Sequence, residues 1–345
     1  MKKTYAVILG VLISAICIAG YALLGQERYP GQGTAATQVV TKNAEHTRSG
    51  TGSTPDVSAV RKIFINVNSI KISPFFRDMQ ELAQALRKTG IEVVLSGKGS
   101  FATGDFNLYA ADNIDNLPEV ADKNAINVLW LPTVQGSDDV ARLRPFDVVV
   151  VKSMAAFGHL KAINVRTAYI PDAINLKNPA NRRPNGKAMF YGDNRGFSLP
   201  LYLAGRADMS LDIYGNGFEN VWPADEIMPN APQPEDFQTY SAVLLDQSDE
   251  AVRDELVSPQ VIEVIENGGL PYLRFNSGVY KIFGETLPMY SNEQEFAAGL
   301  RELEQNPALV QQRRAVLRET AKQWDSISQA QKFVEIFAIM QQKRR

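Results

Sequence analysis

The spacing of apolar and polar positions follows a regular plan from residue 60 onward. Near-continuous runs of β-branched and aliphatic residues predict strands buried on both faces, at residues 62–68, 91–96, 125–132, 146–151 and 165–171. Between the first two runs, residues 76–89 repeat apolar side chains at helical spacing and stop at Gly90. A strand, a helix and a strand in so short a span predict a βαβ unit, and therefore a parallel sheet.

Residues 171–187 interrupt this plan with prolines, asparagines and charged side chains, a composition typical of a connection between domains. Beyond it, strands are predicted near Met189, Leu211, Val243, Leu270 and Leu287, and helices at 294–304, 307–323 and 326–342. We therefore predict an α/β protein with two Rossmann-like domains, at residues 60–176 and 188–325, and a closing helix within 326–345.

The first 25 residues form a segment of another kind. Lys2 and Lys3 precede an uncharged run over residues 5–24, which is long enough to span a bilayer. A poor cleavage site at residues 20–22 favours an uncleaved transmembrane signal-anchor over residues 1–25 rather than a removed signal peptide. The two lysines favour a single-pass inner-membrane protein with its folded part on the exported, periplasmic side; a cytoplasmic position stays open. Residues 26–59, rich in small polar residues, predict a flexible linker.

The amino-acid composition excludes several kinds of functional site. With 36 basic and 38 acidic residues the chain has a formal net charge of -2, so no basic field is available for a nucleic-acid partner. The single cysteine, Cys17, excludes a disulfide within the chain and a Cys/His zinc site. Catalysis by histidine is not favoured, because the chain has only two histidines. His46 lies in the predicted linker, and His159 is predicted as a partly buried residue of a helix.

The strongest candidate chemistry is a pair of glutamates eight positions apart. Glu255 and Glu263 precede a turn that contains Gly268 and Gly269, and these glycines end a helical stretch at 261–266. Carboxylates present only acceptors, which suits a ligand that offers paired hydroxyl donors. Glu266, on the same stretch, is predicted to be a solvated surface residue.

These residues belong to a longer resemblance that covers about half of the chain. From about Ala188 to the C-terminus, the order of motifs resembles the C-terminal domain of group 1, family 4-like glycosyltransferases with the GT-B fold, and is closest to their spore-maturation-type branch. The glutamate pair and the glycine turn match in order and spacing, and so do residues 190–195, 211–217, 240–245 and 290–307. The resemblance implies two facing Rossmann-like domains with parallel sheets and a last helix that crosses back onto the first domain.

The family also implies roles for individual residues. Its second glutamate binds the ribose and its first contacts the donor sugar, which makes Glu263 a donor-binding residue and Glu255 the catalytic candidate. Arg195 is the candidate phosphate clamp, and Gly192, Gly268 and Gly269 complete the predicted donor site. The lysine that often follows the arginine in the family is replaced by residues 196–198, and Lys281 is the candidate substitute.

The first domain matches the family less well. Where relatives carry a glycine-rich loop after the first strand, this chain has residues 68–74 without a glycine. Asn68 and Ser69 are the acceptor-cleft candidates there.

The resemblance implies a retaining, metal-independent transferase, hexosyltransferase-like and without a cofactor, that uses a nucleotide-sugar donor. The expected acceptor is an envelope glycan, a lipid or a protein. An exported position conflicts with this function, because nucleotide sugars are absent on that side of the membrane. Two alternatives therefore stay open: an exported two-lobed glycan- or solute-binding protein, and a catalytically inactive glycosyltransferase-like protein.

Overall fold

The computed structural model describes residues 55–69, 73–120, 122–132, 140–177 and 182–344. The predicted signal-anchor and most of the predicted linker lie outside these ranges. The last three linker positions, Val57–Ala59, form a 3-10 turn. Among the described helices, none combines the length and the hydrophobicity needed to cross a bilayer.

The first sheet consists of six parallel strands in the order β2-β1-β3-β4-β5-β6. These strands are β1 (Lys62–Val67), β2 (Glu92–Ser96), β3 (Phe106–Ala110), β4 (Ile126–Trp130), β5 (Val148–Val151) and β6 (Thr167–Tyr169). The helices that connect them are α1 (Pro74–Lys88), α2 (Val140–Leu143) and α3 (Met154–Ala162), with a 3-10 turn at Ile114–Asn116. Strands such as Val148–Val151 are buried at every position, as expected for a parallel sheet covered on both faces.

One strand of this sheet, β3, was not predicted. Its sequence contains Asn107, a polar residue that breaks the apolar run, yet Asn107 is fully buried. Its amide nitrogen donates to the Asn127 amide oxygen at 3.1 Å and to the Gly104 carbonyl at 2.9 Å, and its own oxygen accepts from the Gly104 N–H. These hydrogen bonds satisfy the buried amide, so a polar residue is tolerated inside the sheet.

The second sheet has five parallel strands in the order β11-β10-β9-β7-β8. They are β7 (Ala188–Tyr191), β8 (Leu211–Tyr214), β9 (Ala242–Leu245), β10 (Pro271–Arg274) and β11 (Met289–Tyr290). Around them lie α4 (Leu199–Arg206), α5 (Asp236–Thr239), α6 (Asp249–Arg253), α7 (Pro259–Glu266), α8 (Ser277–Phe283), α9 (Glu293–Gln305) and α10 (Pro307–Ala321), with 3-10 turns at Gly284–Thr286 and Lys322–Trp324. Two parallel sheets with surrounding helices confirm the predicted α/β class.

The last helix, α11 (Ser326–Arg344), packs against the first sheet rather than the second. The Phe333 ring lies 5.1 Å from the Trp130 ring, and the Phe337 ring lies 5.6 Å from the Phe106 ring, centroid to centroid. We call the first sheet with α1–α3 and α11 the first lobe, and the second sheet with α4–α10 the second lobe.

Glu266 ties the connection between the two lobes to α7. Its carboxylate accepts a hydrogen bond from the Asn175 N–H at 2.6 Å, and its carbonyl accepts one from the Lys177 N–H at 3.0 Å. Burial raises the pKa of Glu266, against the opposing effect of the Asn175 hydrogen bond and of the Lys177 charge. The prediction that Glu266 is a solvated surface residue is therefore wrong, because the chain between the lobes folds over it.

Candidate functional site

The loops that follow the strands of the second lobe form the candidate donor site. In parallel α/β sheets, ligands bind at the carboxyl ends of the strands. The loops after β7 and β8 are joined there by hydrogen bonds, from Asn194 N–H to the Asn216 carbonyl at 2.9 Å and from the Asn194 amide to the Gly217 carbonyl at 2.6 Å. Asn216 in turn donates twice to the Asp193 carboxylate, at 2.8 and 2.9 Å. The two loops therefore act as one surface.

Glycine makes this close approach possible. A Cβ atom on Gly215 would lie 1.9 Å from the Gly192 carbonyl oxygen, which is far inside van der Waals contact. Gly192 itself has a φ of +151°, a conformation that side chains rarely adopt, and donates to the Tyr214 carbonyl at 3.0 Å. Gly192 thus lies in the predicted donor site and shapes it through the backbone.

Arg195 is exposed in the loop after β7, as a phosphate clamp requires. Hydrogen bonds from Asn216 hold the pKa of Asp193 below its usual value, and the charge of Arg195 adds to that effect. At the end of β9, burial raises the pKa of Asp246, while the nearby Arg274 and Arg195 oppose the change. The loops therefore bring the carboxylates of Asp193 and Asp246 and the guanidinium of Arg195 to one edge of the sheet.

Asp246 and Arg274 were not predicted as site residues. Each stands at the end of a buried apolar run. Asp246 is the first residue after β9, and Arg274 is the last residue of β10. A charged residue directly at the end of a predicted strand is the sequence signal for such a site residue, because the carboxyl ends of parallel strands lie at the same edge of the sheet.

Glu263 faces the end of β7. Ser258 caps α7 by accepting from the Val261 N–H, and Pro259 occupies the first turn, where a missing N–H costs nothing. One turn further, Glu263 Oε2 accepts a hydrogen bond of 2.9 Å from the Tyr191 hydroxyl. Burial and this hydrogen bond raise the pKa of Tyr191 to about 12. Tyr191 was not singled out from the sequence, because 72 positions separate it from Glu263.

Glu255 lies in the loop before α7 and pairs with Lys281 of α8. The distance from Lys281 Nζ to Glu255 Oε2 is 3.1 Å, and the Glu255 side chain is 26% exposed. The structure thus brings the candidate substitute lysine to the first glutamate of the pair.

Gly268 and Gly269 lie at the other end of α7, away from Ser258. Gly268 has a φ of +78° and donates to the Ile265 carbonyl, which is the usual way for glycine to end a helix. A Cβ on Gly269 would lie 2.7 Å from a Val264 methyl carbon. The structure gives both glycines a part in helix termination and packing, and it does not bring them to Glu255.

In the first lobe, Asn68 and Ser69 follow β1 at the carboxyl end of the sheet. The Asn68 amide donates to the Asn116 carbonyl at 2.5 Å, and the Ser69 hydroxyl donates to the Ser73 hydroxyl at 2.8 Å. Both acceptor-cleft candidates therefore lie at the edge where ligands of such sheets bind. His159 is exposed on α3, so the prediction of a partly buried histidine is wrong.

The two lobes touch beside Glu255. In the first lobe, Ser153 lies just after β5 and caps α3. Its hydroxyl donates to the carbonyl of Asp254 in the second lobe at 2.6 Å. Near it, Lys152 pairs with Asp172 at 2.5 Å. Burial raises the pKa of Tyr169 at the end of β6, and the Asp172 and Glu255 carboxylates raise it further. Glu255 is therefore close to first-lobe groups as well as to Lys281.

Two parallel α/β lobes that meet at the carboxyl ends of their strands define the GT-B fold. The chain is similar to an O-GlcNAc transferase mutant from Thermobaculum terrenum, with a TM-score of 0.51 and 12% identity over 85% of this chain and 71% of that one. It is also similar to HepE from Anabaena, solved in complex with UDP-glucose, with a TM-score of 0.51 and 11% identity over 81% of this chain and 99% of that one. No protein-family model matches the sequence, and no curated protein matches it. The likeness confirms the GT-B fold implied by the sequence motifs.

Proposed function

We propose that this protein is a glycosyltransferase that takes a sugar from a nucleotide-sugar donor bound between its two lobes. The supporting observation is the placement of the glutamate pair at the carboxyl edge of the second sheet. There Glu263 is held by Tyr191 from β7, and Glu255 is held by Lys281 from α8. The UDP-glucose bound to HepE, a protein with the same fold, adds support for this class of donor.

Each donor-site residue has a proposed task. Glu263 accepts hydrogen bonds from the ribose hydroxyls, since an ionised carboxylate offers acceptors only and Tyr191 fixes its orientation. Glu255 contacts the donor sugar. Arg195 neutralises the diphosphate through its guanidinium, which supplies charge without a metal ion. Gly192 allows the backbone to approach the phosphates closely.

The proposed reaction retains the configuration of the sugar. The bond from the sugar C1 to the phosphate oxygen breaks, and a bond from C1 to the acceptor oxygen forms on the same face. The acceptor proton passes to the departing phosphate oxygen, so the step needs no side-chain base. Asn68 and Ser69 face the acceptor, which we propose to be an envelope glycan, a lipid or a protein.

Nucleotide binding tests the proposal. Thermal shift and calorimetry on the full-length protein should show that UDP or GDP raises the melting temperature Tm, whereas Glu263→Ala should lose most of that stabilisation. Glu302→Ala is the matched control, because Glu302 is an exposed glutamate of α9. If neither nucleotide stabilises the unmodified protein, the transferase proposal fails.

The location of the folded part decides between transfer and binding. A signal-anchor over residues 5–24 is part of the proposal, and protease accessibility in spheroplasts reports which side of the membrane the two lobes occupy. A cytoplasmic domain that turns over a nucleotide sugar supports the transferase. An exported domain that binds a glycan without turnover would instead support the two-lobed binding protein or the inactive homologue.

A further inference from the structure

Glu255 adopts a backbone conformation that is unusual for its residue type. Its φ is +52°, and among the described residues other than glycine only Asn164 and Asp208 also have a positive φ. Asparagine and aspartate visit this left-handed region more readily, because their short side chains can bond to the local backbone. Glutamate has no such advantage, so the surrounding structure must impose the conformation on Glu255.

The start of α8 presses directly on the Glu255 peptide. A Cβ atom on Gly278 would lie 2.0 Å from the Glu255 carbonyl oxygen and 3.1 Å from its Cα. No side chain fits at position 278 unless the Glu255 backbone moves. Lys281, three residues later on the same helix, contacts the Glu255 carboxylate at 3.1 Å. One helix therefore contacts both the backbone and the carboxylate of Glu255.

Asn276 holds the loop against that helix. It is fully buried, and its oxygen accepts hydrogen bonds from the N–H groups of Gly278 and Val279 at 3.0 and 3.2 Å. Its nitrogen donates at 3.0 Å to the carbonyl of Leu256, the residue that directly follows Glu255 in the chain. A single amide side chain thus joins the two segments whose close contact creates the left-handed turn.

We propose that Asn276 and Gly278 are positioning residues that hold the Glu255 backbone in its left-handed conformation, so that its carboxylate lies between Lys281 and the first lobe. This inference rests on the proposed function only in its claim that the position of the Glu255 carboxylate matters for sugar transfer. The strain itself can be tested without any ligand.

The first arm of the test measures strain. Glu255→Gly should raise Tm by about 2 to 4 °C, because glycine accepts a positive φ without cost. In a Gly278→Ala background the same change should raise Tm by less than half as much, since the displaced loop has already relaxed. Asp208→Gly is the matched control and should have the same effect on Tm in both backgrounds. Equal gains for Glu255→Gly in both backgrounds would overturn the proposal.

The second arm measures turnover, as release of UDP from UDP-glucose or of GDP from GDP-mannose with water as acceptor. Gly278→Ala should lower kcat by about 100-fold, since a misplacement of about 1 Å has that cost, while KM for the donor stays within about twofold. In a Glu255→Gln background, Gly278→Ala should cause no further loss, because both changes act on one residue.

Gly299→Ala is the control for crowding. A Cβ on Gly299, in α9, would lie 2.6 Å from the hydroxyl of Tyr272 in β10, so this change also lowers Tm, but it should leave kcat within about twofold. A kcat loss for Gly278→Ala that adds to that of Glu255→Gln, or that Gly299→Ala matches, would overturn the positioning role. If the unmodified protein binds and hydrolyses neither donor, the proposed function fails, and the first arm alone decides this inference.

Discussion

Tyr191 and Glu263 are joined by a hydrogen bond of 2.9 Å that links the end of β7 to the middle of α7. The bond orients a carboxylate that the sequence motif alone would leave unconstrained. A carboxylate fixed before the ligand arrives loses less conformational freedom on binding.

Tyr191→Phe should therefore weaken nucleotide binding about tenfold, equivalent to roughly 1.4 kcal/mol, because Glu263 loses its hydroxyl donor but keeps its charge. Calorimetric titration with UDP and GDP measures the effect. Tyr202→Phe serves as a control, since Tyr202 is a partly exposed tyrosine of α4 that contacts Arg206 and not the glutamate pair. Equal affinities of the Tyr191 variant and the unmodified protein would show that the hydrogen bond does not organise the site.

Gly215→Ala should lower the free energy of unfolding by about 1 to 3 kcal/mol, because the added methyl group collides with the Gly192 carbonyl. It should also weaken nucleotide binding by separating the loops after β7 and β8. Gly205→Ala is a matched comparison, since Gly205 lies in α4 and the atom nearest to its added Cβ, on the Trp222 ring, would be 3.9 Å away. That variant should gain about 0.5 to 1 kcal/mol from helix propensity. Urea denaturation of both variants distinguishes crowding from a general cost of alanine.

Glu266→Gln should raise Tm slightly at pH 7. Burial raises the pKa of Glu266 in the folded protein, so ionisation favours the unfolded chain at neutral pH, and glutamine removes that cost. Below the ordinary pKa of 4.5 both states hold the proton, and the advantage of the variant should disappear. Tm recorded from pH 4 to pH 7 tests this, with Glu302→Gln as the exposed control. A gain that persists unchanged at pH 4 would contradict the explanation.

Phe333→Ala should lower the free energy of unfolding by about 3 to 5 kcal/mol, because it opens a cavity against Trp130 in the core of the first lobe. Hydrogen exchange should locate the loss in β3 and β4 before it reaches the second sheet. Val316→Ala, a change at a residue of α10 that is 47% exposed, should leave the unfolding free energy within about 0.5 kcal/mol.

The fold was predictable from the sequence to the extent that its strands are apolar runs. Val148–Val151 is buried at every position and was found from its composition, whereas β3 was missed because its apolar run is short, lying between Asp105 and Asp112, and is also broken by Asn107. The glutamate pair was found from spacing and resemblance. Tyr191, which bonds to Glu263, and Asn276, which bonds to the carbonyl of Leu256 next to Glu255, were not, because contacts between distant positions leave no local pattern. The positive φ of Glu255 was equally hidden, since it depends on the missing side chain of Gly278.

The return of α11 to the first lobe has a consequence for synthesis. Gln329 bonds to the Pro171 carbonyl across 158 positions, and Phe333 and Phe337 fill a core whose strands leave the ribosome much earlier. Until these rings arrive, the nascent first lobe exposes the apolar side chains that they later cover, a state prone to aggregation or to capture by chaperones. The second lobe does not depend on a later segment in this way, because all of its described elements precede residue 325. The first lobe is thus translated first and completed last.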